Sequence, residues 1–153
     1  MTRLVRPAAL IAALLAPAAV LAEPAAVTPC ADRALAFNLV EPWEQNTATY
    51  GNGAIRIALL DTVEPAAAAV HLMVISPPLD ELGLRQCRVV SLSPGSGFYD
   101  LDFAARSADY DSARGLTLTF PAERFVPDTG MGSPAKLTVT VNQQSGQIAA
   151  DLK

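Results

Sequence analysis

From residue 54 onward the chain alternates apolar and polar side chains in short runs. Ile55, Ile57 and Leu59 share one phase of the stretch 54–61, and Leu116, Leu118 and Phe120 alternate with Thr117 and Thr119. Leu137, Val139 and Val141 alternate with Thr138, Thr140 and Asn142, and Ile148, Ala150 and Leu152 return after the turn Gln143-Gln144-Ser145-Gly146. A period of two is the mark of a strand with one buried face. The expected phase buries Val139, Val141, Ile148 and Leu152 and leaves Thr138 and Thr140 to water. Between the runs stand turn residues. Gly51-Asn52-Gly53 joins 46–50 to 54–61 as a hairpin. Pro77-Pro78 ends a strand begun at Val70, because two prolines remove two ladder donors. Ser93-Pro94-Gly95-Ser96-Gly97 closes the strand 86–92, and 98–103 follows with Tyr99, Leu101 and Phe103 inward and Asp100 and Asp102 outward. The stretch from 121 to 134 holds Pro, Gly and Asp and is expected to be a long mobile loop. The pattern predicts an all-β fold, an antiparallel β-sandwich or small barrel of about 7–9 strands. The alternative is an α+β fold with one short helix, at 31–40 or near 66–69.

The N-terminus follows a different rule. Arg3 and Arg6 precede an apolar stretch from Ala8 to Leu21, and no acid appears before Glu23. That is the layout of a secretory signal peptide over residues 1–22, with cleavage after Val20-Leu21-Ala22. The stretch is short of the roughly 20 residues a spanning helix needs, and Pro17 interrupts it, which disfavours a retained anchor. The expected division is a signal peptide at 1–22, a flexible leader at 23–29 and a single β domain at 30–153. Cleavage removes two of the eleven basic residues and none of the fifteen acids, so the net charge moves from −4 to −6. Nucleic acid and anionic membrane surfaces need clustered Lys or Arg, so neither is an expected partner. No stable membrane insertion is expected after cleavage.

Cys30 and Cys87 are the two cysteines. An even count in an exported chain predicts a disulfide, and a spacing of 57 is no redox motif. The segments Glu41-Pro42-Trp43-Glu44-Gln45-Asn46-Thr47, Leu60-Asp61-Thr62, Ser76-Pro77-Pro78 and Gln86-Cys87-Arg88-Val89-Val90 resemble a group of short exported proteins of alphaproteobacteria. The group has no assigned activity. The resemblance therefore implies a periplasmic address and carries over no functional residues.

Candidate chemistry is sparse. His71 is the single histidine and shares a strand face with Met73 and Ile75. A copper set of His71, Cys87 and Met73 has suitable donors but lacks the second histidine of such sites. Asp100 and Asp102 form a carboxylate pair that can be imagined as acid and base, with His71 nearby in space. The bland reading is a solvated strand face. Asp109-Tyr110-Asp111 begins like a calcium loop, but Ala113 falls on a ligand position. The glycines beside Ser96 lack the spacing of a nucleophile elbow and match no phosphate-binding pattern. Trp43 reads as a lid on one end of the core, with a surface anchor for a partner as the alternative. No catalytic, cofactor-binding or metal residue is expected. The expected function is an exported periplasmic or secreted β-sandwich module that binds or supports another envelope component, with an envelope protein or a small ligand as partner. The alternatives are a small hydrolase or ligand-binding enzyme using Asp100, Asp102 and His71, and a metal-handling protein.

Overall fold

A computed structural model describes residues 22–153. The predicted signal peptide lies outside the described residues but for Ala22. Eleven strands follow in order: β1 (Glu23–Pro24), β2 (Ala26–Pro29), β3 (Thr47–Tyr50), β4 (Ile55–Asp61), β5 (Val70–Leu79), β6 (Arg85–Ser91), β7 (Asp100–Leu101), β8 (Ser107–Asp111), β9 (Gly115–Val126), β10 (Met131–Val141) and β11 (Ile148–Leu152). They form two antiparallel sheets. One runs β1-β11-β10-β9-β7 with β8 also on β9, and the other runs β2-β6-β5-β4-β3. The sheets face each other as a sandwich, not a closed barrel. Eleven strands rather than 7–9 arise because β1, β2 and β7 are too short to show a period. No α-helix occurs among the described residues. The stretch 31–40 holds one 3-10 turn, Ala36–Asn38, and an isolated bridge from Leu39 to Leu60. No helix of the described residues is long and apolar enough to cross a membrane.

The core follows from the predicted phases. Leu116, Leu118, Phe120, Leu137, Val139 and Val141 of one sheet meet Ile55, Ile57, Leu72, Val74 and Val90 of the other, all buried. Leu152 is buried and Ile148 partly so, while Thr138 and Thr140 are half-buried on the outer face. Phe98 joins this core fully buried and Tyr99 does not, because 98–103 is strand only at Asp100–Leu101. The β3–β4 turn takes positive φ at Gly51 (57°), Asn52 (56°) and Gly53 (83°), as the sequence there permits.

Four expectations need correction. Residues 23–29 are paired strand rather than a flexible leader: Glu23 lies opposite Leu152 in one sheet and Val27 opposite Val90 in the other. Pro77-Pro78 does not end β5. The strand runs to Leu79, and the missing donors are absorbed in a register irregularity between Ser76 and Leu79. The stretch 121–134 is no loop. β9 and β10 continue as a paired ribbon, with Pro121 opposite Lys136 and Pro134 opposite Glu123. The Pro121 carbonyl accepts from the Asp102 N–H, and Lys136 exchanges backbone bonds with Lys153, so that pair does not bond across β9–β10. Tyr99 N–H likewise donates to the Glu123 carbonyl, away from Pro134. Both prolines therefore sit where no β9–β10 bond is lost. Trp43 is 52% exposed and lies in a turn over Glu41 and Glu44, so it is no lid.

Cys30 and Cys87 are bonded, with Cα atoms 5.3 Å apart. The bond ties the segment that follows Cys30 across the outer face of β4, β5 and β6. That face carries Leu60, Met73 and Ile75, which line a mostly apolar cavity of about 510 Å³ together with Ala34, Leu35 and Leu39 of the crossing segment.

Candidate functional site

Among the described residues, a polar-lined cavity reaches buried residues at two places. The first lies under the crossing segment, around His71. His71 is 2% exposed, and its Nδ1 is 2.8 Å from Ser91 Oγ, itself buried. Their Cα positions are not directly opposite by chance: β5 and β6 pair Leu72 with Val90 and Met73 with Val89, which continues to His71 beside Ser91. No fully buried side-chain nitrogen or oxygen lacks a partner among the described residues, and Nε2 makes no hydrogen bond there. Nε2 is therefore the ring atom left open to a cavity of about 300 Å³ lined by Asp32, Arg33, Asn38, Thr62 and Glu64. Gly97 presses on the other side, where a Cβ would run into the carbonyls of Val70 and Ala68 and into the imidazole.

Burial pushes the His71 imidazole down to about 4, the Arg33 charge adds to this, and Asp61 partly opposes it. It is neutral at pH 7. In the unfolded chain it takes up its proton near 6.5, so between 6.5 and about 4 the folded state binds fewer protons. Stability is then highest above pH 6.5 and is lost as the pH falls through this window, by ~3 kcal/mol in all. His71→Gln is expected to flatten that part of the profile, read as the difference in urea midpoints between pH 7 and pH 4. Equal slopes in both proteins would remove His71 as the cause.

The other residues singled out from sequence are not assembled around it. Asp100 lies exposed in β7 opposite Glu123, on the other sheet. Asp102 is exposed, and its Oδ1 accepts the Ala105 N–H at 2.9 Å. Neither lines the His71 cavity. Cys87 is consumed by the disulfide, so the copper set of His71, Cys87 and Met73 has no thiolate. Asp111 caps a turn: its Oδ1 accepts the N–H groups of Ala113 (2.9 Å) and Arg114 (2.8 Å), which hold its carboxyl below the usual range. No group of three His, Cys, Asp or Glu side chains is placed to hold a metal among the described residues.

The second place is an open cleft of about 490 Å³ at one corner of the sandwich. Ile55 and Leu116, one from each sheet, make its floor. Tyr50, Gly51 and Asn52 at the end of β3 form one wall, Ala108, Asp109 and Tyr110 of β8 form the other, and Gln143 closes the bottom. Beside the cleft, Arg106 Nε donates to Tyr50 Oη at 3.0 Å while its guanidinium lies 4.3 Å from the Phe103 ring centre. These contacts fix Tyr50 relative to β8.

β8 itself is unusual. Ala108 lies opposite Leu118 and Tyr110 opposite Leu116, so both point to the inner side of their sheet. Yet Ala108 is exposed and Tyr110 is 64% exposed. The facing sheet does not cover β8. Its outer edge is also unpaired among the described residues, where β8 pairs with β9 alone. Sequence reading passed over this site. Ser-Ala-Asp-Tyr-Asp has no apolar period, and nothing local links it to Gly51-Asn52 far upstream. The chain matches no protein-family model, no curated protein and no solved structure.

Proposed function

We propose that this is an exported, non-catalytic binding module of the bacterial periplasm, a β-sandwich that holds or supports another envelope component. The observation that carries the reading is the β3–β8 cleft. It joins an apolar floor, two tyrosines and the amides of Asn52 and Gln143, the composition of a recognition site rather than of a reaction centre. Its aromatic walls stand on strands, so little order is lost when a ligand arrives. The disulfide suits an oxidising compartment, and the resemblance to short exported proteins of alphaproteobacteria supports the same address.

The test places a photo-cross-linking residue at Tyr110 in living cells, with the same residue at Ala149, exposed on β11, as control. A discrete adduct is expected from Tyr110 and not from Ala149. Identical patterns from the two positions, or none from Tyr110, would overturn the reading. Loss of the cellular phenotype in His71→Ala or Asp100→Asn at unchanged melting temperature would favour a chemical site instead.

A further inference from the structure

We infer that the cleft receives an extended, Lys- or Arg-bearing segment of a partner polypeptide, added as a strand to the free edge of β8; this rests on the cleft being the binding site proposed above. The first support is the backbone. Along β9, the Pro121 and Glu123 carbonyls turn toward β7, so the odd-numbered residues of this regular strand bond on that side. Thr117 and Thr119 therefore bond to Asp109 and Ser107 of β8. The alternate residues, Ala108 and Tyr110, turn their N–H and C=O groups outward. A row of donors and acceptors at strand spacing is complemented by another extended backbone and by few other ligands.

The second support is what lies beneath. A strand beside β8 would direct every other side chain inward, over the cleft walled by Tyr50 and Asn52. The segment would thus gain main-chain bonds and side-chain burial together. The third support is charge. Asp109 stands between the two outward-bonding residues and has no cation within 4 Å among the described residues, whereas Asp111 already holds Arg114 at 3.7 Å, and the chain as a whole is acidic. A second copy pairing β8 against β8 would bring the two Asp109 carboxylates together, which disfavours self-association. A segment bearing Lys or Arg opposite Asp109 meets it favourably and gains on-rate from the acidic chain.

A phage-displayed library of nine-residue segments is selected on the oxidised protein, and the enriched sequences are synthesised as probes. Alternating sequences with basic residues are expected. Ala108→Pro removes only an outward donor, so the fold, checked by its melting curve, should persist while probe affinity falls at least tenfold. Tyr110→Ala should weaken binding as well, and amide exchange at Ala108 and Tyr110 should slow when the probe is bound. A measurement independent of any variant uses N-methyl groups on the probe. Methylation of alternate amides on one edge should abolish binding, and on the other edge leave it intact. Probes that bind Ala108→Pro normally but fail on Tyr110→Ala would overturn strand addition and leave the cleft as the site. Probes indifferent to both variants, or no enrichment at all, would overturn the strand together with the cleft. Concentration-dependent dimers that protect Ala108 and Tyr110 would assign the edge to a second copy and overturn the partner segment.

Discussion

Val139→Asp is expected to yield unfolded or insoluble protein, while Thr140→Asp folds and melts within a few degrees of wild type. Val139 is fully buried, with Leu118 opposite it in β9 and Ala150 opposite it in β11. Every buried member of the surrounding core is apolar. A carboxylate there has neither water nor a cation. Burial of an unpaired charge belongs to the class of substitutions that cost more than about 4 kcal/mol, comparable with the whole stability of a domain. Thr140 is one residue away and points to the outer face, between Thr117 and Ala149, neither charged. An acid on that outer face, with water on one side, should cost less than ~1 kcal/mol. Soluble yield and urea unfolding of the two variants read the difference. Equal damage from both would mean that β10 presents the opposite face to the core.

Cys87→Ser is expected to lower stability by about 4 kcal/mol, the chain-entropy value for a loop of this length. For a domain of this size that is roughly 10–20 °C in melting temperature. Chain entropy is not the whole effect. The bond holds the crossing segment over Leu60, Met73 and Ile75, and Leu60 is fully buried on that face. Cys30→Ser should match Cys87→Ser, and the double variant should fall no further, because the two residues act as one unit. Reduction of wild type should reproduce the shift. A change of only a few degrees in all four cases would show that the segment stays docked by packing alone.

Burial phase was legible in the long paired strands, as in 116–120 and 137–141, and failed at Tyr99, where only Asp100–Leu101 is strand. In the long strands the side chains alone decide which face meets the core. Turns were legible where positive φ was demanded, as at Gly51-Asn52-Gly53. Proline misled at 77–78 and at 121–134. Its cost depends on whether its nitrogen faces a neighbouring strand, and that is a property of the register between two strands, not of either sequence. Strands β1 and β2 were invisible because their order comes from partners far along the chain. Of the β3–β8 cleft, Tyr110 and Asn52 were each noted for other reasons. Their approach is a consequence of how far one sheet overhangs the other, which no local pattern encodes.

The pairing of β1 and β2 also has a consequence in time. Val27 must wait for Val90, and Glu23 for Leu152, 129 positions later. Hairpins such as β3–β4 and β9–β10 close over a few residues and can form within microseconds of becoming available. The outer strands cannot, because their partners are synthesised long after them, and closing such loops is slow. A nascent chain stopped before Ile148 would hold its hairpins, yet it would leave the edge of β10 bare and β1 with nothing to pair against. During that interval the exposed edges are a hazard for pairing with other chains. The β1 edge of the sandwich is thus closed only once β11 is in place.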